Sequence, residues 1–267
     1  MGIIVSYFLA LLVGITLGAV GSGGSILTLP ILVYLVGLDP KLASGYSLFI
    51  VGVTALVGGI RSIYLKRIEY LAALVFGVPS IIAVLLTRSY VVPMIPDEMF
   101  SIGSFVVSRS LFLMLLFAVF MIVASVSMIR PEKSTETLNA GPLKFNYPVI
   151  LVEGLVVGVL TGLVGAGGGF LIVPALVILS KMNMKMAVGT SLLIIAAKSL
   201  IGFIGDVKFG GAIDWQFLLI FTGLSTVGIF IGMIFAEKIN PSKLKKGFGW
   251  FILVMGIYIL ITELFTK

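Results

Sequence analysis

VGSGGSILTLP, at residues 20–30, is the stretch that decides the fold, because the chain repeats it as VGAGGGFLIVP at residues 164–174. The displacement is 144 positions (165 − 21), and it carries Gly14–Gly58 onto Gly158–Gly202 without a gap and with 19 identities in 45 positions. Apolar composition alone rarely places several glycines and a proline in one register. The chain is therefore an internal duplication, and each half contains one glycine break.

The composition is that of a membrane protein. Of the 267 residues, 60% are hydrophobic and 11% are charged, whereas a soluble domain carries about 25% charged residues. Apolar runs of about 18 residues or more recur, and each is long enough to cross a hydrocarbon core. Because an open strand cannot satisfy its backbone in lipid, these runs are expected to be helices. We therefore expect an all-α polytopic membrane protein, in which Met1–Val20 is a retained first segment.

The sequence contains no cysteine and no histidine. The missing cysteines exclude disulfides and thiolate metal sites, and the missing histidines remove the commonest metal ligand and the usual physiological-pH switch. No Ser-His-Asp set or paired carboxylates can be assembled from the motifs. We therefore expect no enzymatic activity, no metal and no cofactor. The net charge of +7 is expected at the membrane surface, not on nucleic acid.

The basic residues distinguish two topologies for the glycine breaks. If each break lies within a crossing, eight Lys and Arg face one side of the membrane and nine face the other, which gives no orientation. If each break is a hairpin tip, twelve face one side and five face the other, with Lys198 inside a span. The twelve are Arg61, Lys66, Arg67, Arg130, Lys133, Lys144, Lys181, Lys185, Lys238, Lys243, Lys245 and Lys246, and the five are Lys41, Arg88, Arg109, Lys208 and Lys267. The positive-inside rule selects the hairpin, with the larger set cytoplasmic and both termini extracytoplasmic.

The hairpin topology predicts two inverted-topology repeats, each with a Gly-broken helical hairpin plus about three full spans. The first transmembrane repeat covers residues 1–129 and the second covers residues 148–267. Residues 130–147 form a polar cytoplasmic linker, and residues 88–109 form a long Pro-containing connection. The expected location is the inner or plasma membrane, which the chain crosses several times.

Inverted repeats with broken helices are typical of secondary transporters, whose substrate sites lie near the midplane at the repeat interface. Short helices beginning near Ile26 and Phe170 would direct unpaired N–H groups and positive dipole ends toward a shared gap, which suits an anion. Alternatively, the glycines serve only close helix packing. The predicted binding residues at the breaks are Gly21, Ser22, Gly23, Gly24, Ser25, Gly165, Gly167, Gly168 and Gly169.

Hydroxyl groups follow each hairpin at matching positions. Tyr46 and Ser47 in the first half correspond to Thr190 and Ser191 in the second. They are candidates for lining the anion site, although such hydroxyls often bond only a carbonyl one turn back.

Lys198 lies within an apolar span, where a cation is costly and usually faces a cavity or a partner. Its counterpart in the first half is Thr54, so the predicted site is asymmetric. Lys198 is therefore a candidate substrate ligand, and the alternative is that it reaches toward Asp206 or a headgroup. The carboxylates of Glu69 and Glu153 are expected near the interfaces, facing water.

The two copies of G-x-G-G-[SG]-[IF]-L-x-x-P, each followed by G-[YT]-S-L, resemble the TauE/SafE family of sulfite-exporter-like permeases over essentially the whole chain. The resemblance implies an inner-membrane carrier of small anions, with sulfite, thiosulfate, sulfonates and sulfoacetate among the substrates of members. The expected partners are a small anionic substrate, the lipid bilayer and a coupling ion, either a proton or sodium, and no nucleic acid.

Three functional classes remain open from the sequence. The first is a secondary transporter of sulfur oxyanions or organosulfonates, the second is a passive anion channel, and the third is a non-transporting membrane assembly protein. The third is disfavoured because packing alone gives no reason for a repeated polar break. The sequence does not determine the substrate, the direction of transport, the coupling ion or the oligomeric state.

Single-cysteine labelling of this cysteine-free chain tests the topology. Lys41→Cys and Lys66→Cys should react with a membrane-impermeant thiol reagent from opposite sides of the membrane, because one crossing separates them. Reaction of both from the same side would contradict the inverted repeat.

Overall fold

The computed structural model describes residues 2–21, 23–96, 98–102, 105–129, 147–164, 169–178, 182–207 and 213–265. The helices are α1 (Gly2–Val20), α2 (Gly23–Pro30), α3 (Pro40–Tyr64), α4 (Tyr70–Leu86), α5 (Val92–Met94), α6 (Arg109–Ile129), α7 (Tyr147–Val164), α8 (Gly169–Ile178), α9 (Met184–Val207), α10 (Trp215–Lys238) and α11 (Pro241–Phe265). π-Helical turns extend α2 over Ile31–Leu35 and α4 over Thr87–Val91, and the strands β1 (Glu98–Ile102) and β2 (Phe105–Ser108) pair antiparallel. The protein is an all-α polytopic membrane protein apart from this small hairpin.

The first glycine break is a chain reversal. Gly21 has a positive φ of 78° and donates its N–H to the Leu17 carbonyl over 2.7 Å, which ends α1 in the left-handed conformation that glycine tolerates. The chain then runs back, because Gly24 packs against Val13 and Leu17 and the π-helical turn after α2 also contacts α1. The structure thus places a hairpin tip here.

The first short helix begins earlier than the sequence predicts. α2 begins at Gly23 and not near Ile26, whereas α8 begins at Gly169, next to the predicted start at Phe170. Gly23 and Gly24 are therefore helical, and only Gly21 uses a positive φ in the described part of this break. The reason is close packing: a Cβ at Gly24 would lie 2.7 Å from the Val13 carbonyl oxygen, so glycine serves the contact between the two arms.

Helices of one half pack against helices of the other half in two matching pairs. α1 of the first half packs along α10 of the second, and α7 of the second packs along α4 of the first. In both pairs the two helices run parallel, because residue numbers rise together along each contact. Glycines at the contacts allow the two backbones to approach closely. The contacts are Gly14–Ser225 and Gly18–Ile229 in one pair, and Gly154–Phe76 and Gly158–Ser80 in the other.

Equivalent helices of the two halves pack antiparallel. Along α3 and α9, Gly52 contacts Leu200 and Gly59 contacts Leu193, so numbers rise on one helix as they fall on the other. α6 and α11 do the same, with Gly249 against Met128 and Ile129, and Gly256 against Ile122. An inverted repeat requires this relation, whereas a parallel repeat would pack equivalent helices in the same direction.

The C-terminal helix ends on the same side as the base of the first hairpin. The Tyr34 hydroxyl, in the turn after α2, donates to Glu263 Oε1 near the end of α11 over 2.8 Å.

Buried apolar side chains form two clusters, and each cluster draws residues from both halves. Neither half therefore has a core of its own among the described residues.

Four helical segments are long and apolar enough to cross a bilayer, and they are Leu42–Tyr64, Tyr70–Met94, Met184–Ile204 and Trp215–Lys238. By the same criterion α6 and α11 contain shorter apolar stretches, Leu111–Val123 and Gly249–Leu264. α7 and the two arms of the first hairpin also fall into the shorter class.

Two sequence expectations need correction or lie outside the described residues. The connection predicted as a loop over residues 88–109 contains the end of the α4 segment and the β1–β2 hairpin. Its signal was the pair of β-branched and aromatic runs flanking Gly103-Ser104, a common two-residue hairpin turn. The linker predicted over residues 130–147 lies outside the described residues except for Tyr147, which begins α7.

Substitution of one interface glycine tests the paired packing. A Cβ at Gly158 would lie 2.6 Å from the Ser80 carbonyl oxygen, whereas one at Gly223 would meet nothing within 4 Å. Gly158→Ala should lower stability by about 1–3 kcal/mol because α7 must move off α4. Gly223→Ala should leave stability unchanged or raise it slightly, through better helix propensity. Thermal unfolding in detergent measures both, and equal melting temperatures would contradict the packing.

Candidate functional site

The first glycine break lies against α9 of the second half. The Ser191 hydroxyl bridges two carbonyls, at 3.3 Å from the Gly21 oxygen and 2.8 Å from the Val188 oxygen. A Cβ at Gly21 would lie 2.7 Å from Ser191 Oγ. Ser191 thus both bonds back along its own helix and supplies a partner for the break. Ser22, the other predicted residue at this tip, lies outside the described residues.

The two short helices meet at their N-terminal ends. Ser25, in the first turn of α2, is fully buried, and its Oγ lies 3.2 Å from the position of a Cβ on Gly169, the first residue of α8. Gly169 also packs against Ile195, three residues before Lys198 on α9. The first turns of α2 and α8 are therefore within one helical turn of Lys198. Gly165, Gly167 and Gly168 lie outside the described residues.

Lys198 is buried at the interface between the halves. Its side chain is 2% exposed, and its ammonium donates to Thr161 Oγ1 of α7 over 3.1 Å. Gly52 of α3 packs against Leu200 of α9, and the two helices run antiparallel. Thr54, two residues further along α3, is therefore level with Lys198, two residues back along α9. The two residues are counterparts in the two halves. Lys198 therefore lies near the pseudo-twofold axis. It is directed to a buried hydroxyl and not to a headgroup.

A second cation lies beside this pair. Arg88, in the π-helical turn after α4, is half-buried and donates from Nη2 to Ser44 Oγ over 2.6 Å. Gly162, next to Thr161, packs on Thr87, next to Arg88, which brings the two cations into the same region of the protein. Lys198, Thr161, Arg88 and Ser44 will be called the Lys198 cluster. Lys198 is its buried member and Arg88 its half-buried member, and an anion in this region would be attracted to both.

The Lys198 cluster has no counterpart at the first break. In the alignment of the halves, the counterparts of Thr161, Lys198 and Ser44 are Leu17, Thr54 and Val188, respectively. The contact of Gly14 with Ser225 matches the contact of Gly158 with Ser80 in the other pair of helices. α4 therefore aligns with α10 at a displacement of 145 positions (225 − 80), and Arg88 corresponds to Met233. Sequence reasoning missed Arg88 and Thr161 as site residues. The signal was available, because both are polar where the other half is apolar.

The remaining predicted hydroxyls have different surroundings. Tyr46 is buried, its ring stacks on Phe217, and its hydroxyl accepts a hydrogen bond from the Asp214 N–H over 2.6 Å at the start of α10. Thr190 Oγ1 accepts from the Glu69 N–H over 3.0 Å and so anchors the α3–α4 turn to α9. Both hydroxyls are occupied by protein contacts that hold helix ends.

Three buried hydroxyls near the α3–α9 contact have no hydrogen-bond partner. They are those of Ser47, Thr54 and Ser199. Ser47 corresponds to Ser191 in the other half, where the same hydroxyl bonds the glycine break. Unsatisfied buried hydroxyls are costly, and in a transport protein they are donors available to a ligand. Ser47 therefore remains a candidate ligand together with the Lys198 cluster.

A small basic cavity lies at the first break. It has a volume of about 40 Å³, and its lining includes Gly18 and Val188 near the break together with Arg67 and Lys185. Arg67 also forms an ion pair with Glu237 of α10, with 3.3 Å between Nη1 and Oε1. Basic side chains from the α3–α4 turn and from α9 thus meet in the lining of one small cavity.

Known proteins resemble this chain along most of its length. The chain is 29% identical over 258 residues to a "Probable membrane transporter protein" of Xylella fastidiosa, covering 93% of this chain and 91% of that protein. It is 26% identical over 287 residues to the "Probable membrane transporter protein YunE" of Bacillus subtilis, covering 98% and 100%. A shorter match, 33% over 117 residues, joins it to the "Probable membrane transporter protein MJ0441" of Methanocaldococcus jannaschii, covering 42% and 43%. No solved structure matches the chain.

The family described as "Sulfite exporter TauE/SafE" matches residues 6–259, which include both glycine breaks and the Lys198 cluster. With a match of this extent, the chain belongs to the TauE/SafE family of membrane transporters.

Proposed function

We propose that this protein is a secondary transporter of small sulfur oxyanions, of the sulfite, thiosulfate or sulfoacetate type, and that the anion binds at the Lys198 cluster. The observation that supports this most directly is the buried amino group of Lys198, whose one hydrogen-bond partner among the described residues is the neutral hydroxyl of Thr161. A buried charge is costly unless it is compensated, and an intramembrane lysine is a functional group by default. An oxyanion compensates both cations at once.

The helix ends add to the same site. The first N–H groups of α2 and α8 have no partner within their helices, and the two ends meet one turn from Lys198. In the proposed site, Gly23, Gly24 and Ser25 from one break and Gly169 from the other supply backbone donors. The oxygens of an oxyanion accept such bonds, and the positive dipole ends favour its charge.

Cations on both sides outline a path for the anion. Arg88 and Ser44 are half-buried on the side of the chain termini, and Arg67 and Lys185 line the small cavity on the opposite side. We infer that these pairs form the two mouths of the pathway and that access alternates between them. By the excess of basic residues, the Arg67 side is cytoplasmic in the inner or plasma membrane and both termini are extracytoplasmic.

A passive anion channel is the second candidate, because the same cluster could line a pore. The family match and the repeated broken helices, which are typical of secondary transporters, support the carrier over the channel. A channel passes net current under a voltage and shows no counterflow. A carrier exchanges labelled for unlabelled substrate at zero net gradient.

Proteoliposomes containing purified protein provide the test. Labelled thiosulfate should enter against a counterflow of unlabelled thiosulfate, and sulfite, sulfoacetate, sulfate and taurine serve as competitors. Lys198→Ala should weaken thiosulfate binding by about 1.5–3 kcal/mol, because a charge-assisted hydrogen bond is lost. Lys198→Arg should restore only part of it, because a planar guanidinium replaces a compact ammonium.

Lys243→Ala is the matched control, because Lys243 is exposed at the start of α11 and should leave affinity unchanged. Wild-type affinity in Lys198→Ala would remove Lys198 from the site. Conductance without counterflow would replace the carrier with a channel.

A further inference from the structure

Glu153 is a buried carboxyl group that the anion site does not use. It lies on α7, six residues after the helix begins at Tyr147, and the sequence suggests that it faces water. The structure places it otherwise: the side chain is 8% exposed, and neither Oε1 nor Oε2 has a hydrogen-bond partner or appreciable contact with solvent. The expectation of a water-facing Glu153 is therefore wrong in this conformation.

The surroundings of Glu153 are hydrocarbon. It lines a groove of about 470 Å³ with Pro148, Val149, Val152, Val156, Val157 and Ala175. α8, which supplies Ala175, carries no titratable or charged residue. On the other elements packed against α7 within the described residues, the titratable or charged groups are Tyr70 at the start of α4, Arg88 and Tyr90 in the turn that follows it, and Arg109 at the far end of α6. Lys198 of α9 also contacts α7, since its ammonium donates to Thr161, two helical turns from Glu153. On α7 itself the other titratable group is Tyr147.

An ionised carboxylate without a partner is disfavoured in such a place, so burial favours the protonated form of Glu153 in this conformation. A metal cation does not fit as the alternative occupant. Hard cations need several oxygen ligands, and the side chains that line the groove beside Glu153 supply none. The group can therefore bind one proton and little else.

We propose that Glu153 is the proton-binding site through which anion movement is coupled to the proton gradient, an inference that rests on the proposed anion site. In the loading step a hydronium ion gives its proton to a Glu153 carboxylate oxygen, leaving water and a neutral carboxylic acid. In the unloading step the carboxylic acid returns the proton to water. The proton and the anion are bound together and released together.

The spacing along α7 explains the coupling. Glu153, Val157 and Thr161 are separated by four residues each and lie along one face of the helix, so Glu153 is about 12 Å from Thr161 along the axis. At that distance a negative charge weakens binding of a monovalent anion by about tenfold at an effective dielectric constant of about 20. Protonation removes this repulsion. By linkage, the bound anion raises the proton affinity of Glu153 by the same factor.

Thiosulfate binding to the purified full-length protein, measured by calorimetry below and above neutral pH, tests the coupling. Wild-type affinity should fall by about tenfold or more toward alkaline pH, because the charge on Glu153 then opposes the anion. Glu153→Gln, which is neutral at every pH, should bind equally well at both pH values. Glu98→Gln, at an exposed carboxylate of β1, is the matched control and should behave as wild type.

Infrared spectroscopy of the same three proteins gives a readout that does not depend on anion binding. A protonated carboxylic-acid stretching band should be present near neutral pH in wild type and in Glu98→Gln, and absent in Glu153→Gln. Retention of the band in Glu153→Gln, or of the pH-dependent affinity in that variant, would overturn the assignment. If wild type binds no anion but the band behaves as expected, the proposed anion site fails while the proton site stands.

Discussion

A chain that reverses inside a membrane must find partners for its own backbone within the protein, because lipid offers none. At the first reversal α1 ends at the buried Gly21 with a positive φ, and the Gly21 carbonyl accepts a hydrogen bond from Ser191 of the opposite half. The second half thus completes the first. The same dependence appears in the exchanged pairs α1–α10 and α4–α7 and in the two mixed cores. The halves are therefore repeats in sequence but not independent units in space.

The pairing of the halves also creates the functional asymmetry. A duplication begins with two identical breaks, and the matching contacts Gly14–Ser225 and Gly158–Ser80 show how closely the scaffold has kept its symmetry. The polar and charged residues have not kept this symmetry. The counterparts of Thr161, Lys198 and Arg88 in the other half are Leu17, Thr54 and Met233, respectively. A symmetric pair of cationic sites would double the cost of burial, whereas the proposed carrier needs only one cluster near the axis.

The sequence predicts much of this arrangement, and physical reasons account for the rest. The duplicated break, the basic-residue bias and the apolar runs together predict the hairpins and the spans. Helix starts at Gly23 and Gly169 are not predictable from propensity, because glycine is a poor helix former and only tertiary packing places it there. The partner of Lys198 is equally invisible, since Thr161 lies 37 positions away on a helix whose rotation depends on packing against α4. Burial of Glu153 is missed for the same reason, because distance along the helix does not tell which face meets a neighbour.

The central claim is that a sulfur oxyanion is held between Lys198 and Arg88, and locating a heavy analogue of that anion tests it most directly. Selenate has the shape and charge of sulfate, and its selenium scatters anomalously. The account predicts that, in crystals of the full chain soaked with selenate, an anomalous peak lies within hydrogen-bonding reach of Lys198 Nζ and Thr161 Oγ1, and that Lys198→Ala removes it. A peak confined to Arg67 and Lys185 at the opposite mouth, or to exposed lysines alone, would contradict the account.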